Sequence, residues 1–310
     1  MISWRYHLVS LVAVVLAFGL GLVAGTSVVS DPLARDIRRR YNQAVREKDQ
    51  ALETVAFYQD FVRALEPTLR DGTLEGEEAI VVTVEGVDGP AQRAVDQLTA
   101  AGVDVLATFG VTSRLSDPNE EDLPALGEIL GLSASDPEAV ADRIPDAFAV
   151  RLAIGILGSD EDVLGGLLDG GFLTADRDLD AQALLGIGGS GELIVVAAGG
   201  ASPRGTPGPD RVLVPMTQRL VGLGAAAVAV GPTDDPFGYV EAVRDDAAIP
   251  DCSMVTVDDI DLDVGGITLA MGIDRFRTDP DPAVRPGGDY GTRGDMLVPG
   301  AQEPPETCLR

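Results

Sequence analysis

Histidine is almost absent: His7 is the only one in 310 residues, and it lies near the start. Beyond it no Ser-His-Asp or Cys-His arrangement can be built, and no imidazole can ligate a metal. Cysteine is nearly as scarce. Cys252 and Cys308 lie 56 positions apart with no second Cys or His near either, so no zinc-ligand spacing exists. Outside the cytoplasm the two could close a long loop as a disulfide, or remain two thiols, and spacing alone does not choose. No cysteine follows the first apolar run, which excludes a lipoprotein anchor. Lysine is reduced to Lys48, the other 22 basic residues being arginine, as a GC-rich genome would favour.

Positive charge is also short, and unevenly so. Residues 1–70 hold nine basic against seven acidic side chains, whereas residues 71–310 hold 14 against 43. A body that acidic repels phosphate backbones and anionic headgroups, so nucleic acid is excluded as a partner. Cations or basic proteins suit it, and acidity also serves plain solubility.

What the chain does have is one long apolar run. Leu8–Val29 contains no charge over 22 residues. As a helix it would be about 33 Å long, enough to cross the hydrocarbon core. Trp4 and Tyr6 lie where interfacial aromatics belong. Residues 1–30 are therefore expected to be a single transmembrane helix. A cleaved signal peptide competes, because Val23-Ala24-Gly25 is a passable cleavage site, but the run is long and its leading segment carries only Arg5. Ala17, Gly21 and Gly25 form a small-residue stripe that lets two helices approach in lipid. Arg35, Arg38, Arg39 and Arg40 follow the run, so the positive-inside rule taken literally puts the C-terminal bulk in the cytoplasm.

Residues 31–70 are expected to form a coiled-coil stalk. Ala34, Ile37, Tyr41, Ala44, Lys48, Ala51, Val55, Tyr58, Val62, Leu65 and Leu69 keep an unbroken 3-4 spacing among polar residues. That pattern predicts a parallel homodimer, with Lys48 at a core position setting register; an amphipathic helix packed on its own domain is the alternative. Pro67 and the Asp71-Gly72 turn are expected to loosen the helix.

From residue 76 to 278 the period changes to an acidic α/β domain. Short β-branched runs at Ala79–Val84, Val103–Phe109, Glu192–Ala198, Ala225–Val230 and Ser253–Val257 alternate with helical patterns. The alternation predicts a doubly wound, mostly parallel, Rossmann-like sheet. Residues 123–185 read as a helical insertion, and the Pro/Gly-rich residues 279–310 as a tail.

Motifs for chemistry are weak. Gly186-Ile-Gly-Gly-Ser-Gly191 resembles a phosphate loop but precedes a strand instead of following one. Ala198–Gly205 follows a strand and carries Arg204, yet Pro203, Pro207 and Pro209 suit a plain loop. Asp259-x-Asp261-x-Asp263 begins like a calcium loop, but Val264 replaces the turn glycine and Ala270 the bidentate glutamate, so Asp263 is expected to cap the next helix. The soft donors beyond the span are Cys252, Cys308, Met216, Met254, Met271 and Met296, of which Cys252-x-Met254 is the one candidate pair for copper. That supply predicts no tight copper site. No catalytic residue, cofactor site or enzyme activity is expected.

The opening MISWRYHLVSLVAVVLAFGLGLVAGT, with the heptads after it, resembles the actinobacterial MctB family of copper transport proteins. Thr256-Val-Asp-Asp-Ile260 before a Gly-started helix, Asp289-Tyr-Gly291 and Leu297-Val-Pro299 match it too. The resemblance spans essentially the whole chain. It implies copper homeostasis by efflux or a channel in the cell envelope, copper as the metal handled, and a domain outside the cytoplasm, contrary to the arginine count. Some members are linked to septal cell-wall remodelling, which implies the other alternative, a dimeric scaffold for envelope proteins. The resemblance carries over no metal ligand.

Overall fold

The structure is a computed structural model that describes residues 4–86, 88–132, 137–156, 162–189, 191–199, 211–235, 238–250, 253–278 and 287–292. It has two units, Met1–Phe61 and Val62–Arg310.

The first unit is helical. Helix α1, Trp4–Arg70, runs for 67 residues. Its stretch Tyr6–Val23 has a mean hydropathy of 2.2 and none of it is buried. Apolar side chains that would otherwise be driven out of water are left facing outwards, as a lipid-embedded span requires. Pro67 does not stop the helix. Its missing N–H falls in the last turn, and the Asp71 amide closes that turn by donating to the Pro67 carbonyl at 3.0 Å.

In the second unit seven strands form one sheet: β1 Glu78–Val84, β2 Asp104–Val111, β3 Leu173–Ala175, β4 Leu193–Ala197, β5 Ala226–Val230, β6 Val255–Val257 and β7 Gly288–Tyr290. Their order is β3-β2-β1-β4-β5-β6-β7. All pairs are parallel except β2–β3. The expected mixed α/β fold with a mostly parallel sheet is borne out, and so is the apolar N-terminal helix.

The central strands β4 and β5 are continuously apolar because helices cover both faces. Ile80 and Val82 of β1 face one core with Phe148 and Leu152 of α5 (Pro137–Ile154) and Leu220 of α8 (Leu213–Gly222). Ala79 and Val81, alternating with them, face the other with Ala94 and Leu98 of α2 (Asp88–Ala100) and Leu269 and Ile273 of α10 (Gly265–Thr278). Each such fully buried Leu or Ile contributes about 1.5–3 kcal/mol.

Two elements differ from expectation. The 123–185 stretch is not wholly helical: besides α4 Leu123–Ile129, α5, α6 Val163–Asp169 and α7 Ala181–Leu185 it contains β3. β3 pairs with the end of β2, where Gly110 leaves no space for a side chain opposite Thr174. Likewise β7 lies within residues 279–310 yet pairs with β6. Three-residue strands are too short to show a period of two, and tertiary pairing alone defines them.

Candidate functional site

The carboxyl ends of β5, β6 and β7 bring together the most densely bonded polar groups of the sheet. β6 ends in Val257 and the chain turns at Asp258, which is 5% exposed. Arg244, the last residue of α9 (Tyr239–Arg244), reaches across this end. Its Nη1 donates to Asp258 Oδ2 at 2.6 Å, its Nε to Thr256 Oγ1 at 2.7 Å and its Nη2 to the Tyr290 carbonyl at 2.8 Å. Thr256 donates in turn to Asp289 Oδ1 at 2.9 Å. Asp258 Oδ1 accepts from the amide and hydroxyl of Thr292, at 2.6 and 3.0 Å. Gly291, at φ +117°, packs so closely on Asp258 that a Cβ there would collide with the carboxylate. One guanidinium thus ties α9, β6 and β7 together.

Beside the network opens a cavity of about 190 Å³, lined among others by Thr233, Asp235, Glu241, Arg244, Asp245 and Asp258. Four carboxylates against one guanidinium make it anionic, so it disfavours phosphate and carboxylate ligands. The hydroxyls here are committed to acids: Thr256 to Asp289, Thr292 to Asp258, and Thr233 to Asp261 at 3.0 Å. The arrangement cross-braces the edge and assembles no nucleophile–base pair among these groups.

The three aspartates of the 259–263 run diverge. Asp259 lies 3% exposed under α10, its Oδ2 accepting from Thr268 Oγ1 at 3.3 Å, while Oδ1 has no hydrogen-bond partner. Burial, and next the charge of Asp258, lift its carboxyl from 3.8 to about 6. Asp261 accepts from the Thr233 amide at 2.6 Å. Asp263 pairs with Arg63 at 2.7 Å, so its carboxylate is engaged by a cation beside the helix that it was expected to cap.

The glycine-rich 186–191 segment has a structural explanation. Gly188 and Gly189 take φ near +83° and +85° and lie against the last carbonyls of α5, where any Cβ would clash. The Gly189 amide donates to the Leu152 carbonyl and the Gly188 amide to Glu192, both at 3.2 Å. Amides already bound to carbonyl and carboxylate oxygens cannot cradle a phosphate. Arg151, 4% exposed, clamps the same segment through the Ile187 and Leu184 carbonyls and pairs with Asp162 at 2.5 Å.

Of the candidate copper pair, Cys252 lies outside the described residues, as do Cys308, Arg204 and Leu297-Val-Pro299. Met254 is 3% exposed and packs in the core on the α5 and α8 face. Among the described residues no group of three or more His, Cys, Asp or Glu side chains is placed to hold a metal ion.

Sequence reasoning did not single out Arg244, Arg151 or Asp162. Their signal is charge economy: with three acids to each base beyond residue 70, an arginine inside an apolar helical pattern has a buried carboxylate to meet. The structure also brings two separate sequence motifs together. Thr256–Ile260 and Asp289–Gly291 are neighbours across β6 and β7, joined by Arg244.

Residues 1–296 match the family described as "Copper transport outer membrane protein, MctB". Curated relatives named "Copper transporter MctB" from Mycobacterium bovis and Mycobacterium tuberculosis are each 25% identical over 303 residues, covering 88% of this chain and 92% of theirs. No solved structure matches the chain.

Proposed function

The chain belongs to the MctB family, and from that premise we propose that it handles copper in the cell envelope as a membrane-anchored protein, with copper as cargo. Residues 1–30 act as the anchor and residues 31–70 as a stalk that presents the acidic α/β unit on the extracytoplasmic side. The observation that carries the proposal is the fully exposed apolar stretch Tyr6–Val23 at the head of a family member's longest helix. The strand order, with β1 and β4 central and helices on both faces, fits a doubly wound, Rossmann-like sheet. A sheet covered on both faces is no pore lining, so the unit acts on copper transport as a component beside the lipid path.

Cells lacking the gene are expected to accumulate copper and to lose copper tolerance several-fold, with both restored by the full chain. A Cys252→Ser, Met254→Leu chain should restore them equally, because the thioether of Met254 is occupied in core packing and two sulfurs two positions apart make at best half of a Cu(I) site. Unchanged copper content in the deletion would sink the copper role, and failure of the double variant alone would make Cys252 and Met254 a real site.

Orientation has its own check. A reporter enzyme active only outside the cytoplasm, fused after Arg310, should work, and a cytoplasm-only fluorophore there should stay dark. The reverse pair of results would restore the arginine rule.

A second role, as a dimeric scaffold for envelope proteins, is favoured by the stalk. Ile37, Tyr41, Val55 and Tyr58 at a/d positions are 59, 68, 50 and 61% exposed in the single chain. An apolar seam of that length is a surface for a second copy.

A further inference from the structure

The Asp258–Asp263 loop meets more elements than any loop of the sheet's carboxyl edge described above. Asp258 is held by Arg244 of α9 and by Thr292 after β7. The Ile260 amide donates to the Gly231 carbonyl after β5 at 3.3 Å, and Asp261 holds Thr233 of the same turn. The Asp261 carbonyl accepts from Arg93 of α2 at 2.7 Å, and Asp263 pairs with Arg63 in the last turns of α1. At the centre lies Asp259, buried, with one oxygen unpartnered and the other on a long bond to Thr268. Gly265, the first residue of α10, packs on the Asp259 carbonyl and the Ile260 backbone with no room for a side chain. The loop therefore cannot shift without disturbing the start of α10.

A buried carboxylate needs a cation or several donors, and Asp259 has one hydroxyl. The cations shown beside the loop are engaged elsewhere. Arg244 binds Asp258 and the Tyr290 carbonyl, Arg93 the Asp261 carbonyl, and Arg63 pairs with Asp263. Arg70, at the end of α1, is bonded to Glu66, Asp71 and Gln97, and Arg277 of α10 to Glu77. The charges that bear on Asp259 are acidic, Asp258 and Asp261 on the loop itself.

We propose that this loop is a proton-operated latch: protonated Asp259 holds it closed between β6 and α10, and loss of that proton loosens it together with its ties to β5, α2 and the end of α1. The neutral acid can place its O–H on a neighbouring oxygen, whereas the anion leaves a charge beneath α10 with one side-chain donor. The direction of the pH effect follows from the raised folded-state value of about 6 against an ordinary 3.8. A carboxyl raised in the closed state binds more protons there than in the open one. Its contribution is full below 3.8 and is lost as pH rises to about 6. Acid locks the latch and neutral pH releases it.

Backbone hydrogen exchange of the full chain in detergent, corrected for intrinsic rates, tests this at about pH 5 and about pH 7.5. Amides from Asp258 to Leu269 are expected to lose about tenfold in protection on going to the higher pH. Amides of β1 and β4 should change far less. Asp259→Asn, which keeps the shape without the charge, should stay protected at both values, and Asp261→Asn should still respond. pH-independent protection of this segment in the parent chain, or an unchanged pH response in Asp259→Asn, overturns the latch. Should Asp259→Asn fail to fold, the parent chain's pH course still decides: protection that falls between 3.8 and about 6 and levels off above supports the latch, and protection that is flat or rises over that range refutes it.

Discussion

Arg244→Ala is expected to destabilise the α/β unit by about 3–5 kcal/mol, the usual loss when one partner of a buried ion pair is removed. The Arg244 and Asp258 side chains are only 12% and 7% exposed, so the pair is screened far less than a surface one. Two other acceptors lose a donor as well, Thr256 Oγ1 and the Tyr290 carbonyl, and Asp289 loses an ion-pair partner at 3.6 Å. β7 depends most on these contacts, since its pairing with β6 extends over three residues. Thermal unfolding of the full chain by circular dichroism should therefore show an early transition of the α/β unit, with β7 the first strand to exchange. Asp258→Asn should be milder, because its amide can still serve Arg244 or Thr292 with one oxygen. A loss below about 1 kcal/mol in Arg244→Ala would mean that the network is ornamental and that other contacts hold β7.

Val55→Asp combined with Leu65→Asp is expected to turn a stalk dimer into a monomer. Both residues belong to the proposed a/d seam, and in the single chain they are 50% and 38% exposed. Two aspartates per strand would bury four carboxylates face to face. Even a modest penalty of about 1–2 kcal/mol for each weakens association by more than about 100-fold. Sedimentation of the full chain at micromolar concentration reads this directly. A monomeric parent, or a variant that stays dimeric, removes the coiled-coil proposal. Lys48 at the core position should then be the site where the paired stalk is weakest, and Lys48→Leu should tighten it.

The sequence alone was enough wherever the physics is local. The apolar run from Leu8 to Val29 follows from hydropathy, and the later part of helix α1 from a 3-4 repeat legible within residues 34–69 alone. β1, β4 and β5 announced themselves as unbroken apolar runs, because a parallel strand buried on both faces has no polar side to interrupt it. The scarcity of histidine and cysteine is likewise visible without a fold.

Tertiary structure decided everything that depends on which distant residues meet. β3 and β7, three residues each, exist because β2 and β6 offer them an edge, and no window of sequence so short has a period. The order of elements already spoke against a phosphate cradle at Gly188 and Gly189, but only the fold shows the carbonyls of α5 lying against them. Val264 and Ala270 already ruled out a calcium loop for aspartates 259, 261 and 263, but only the loop's path sends them to Thr268, Thr233 and Arg63. Arg244 and Asp258 lie fourteen positions apart with a turn and a strand between them, and Asp289 is farther still. Which carboxylate receives a guanidinium and which, like Asp259, is left with a single hydroxyl is set by packing. Charge pairing acts across a few ångströms of space, and the order of residues along the chain does not specify that space until the sheet has assembled.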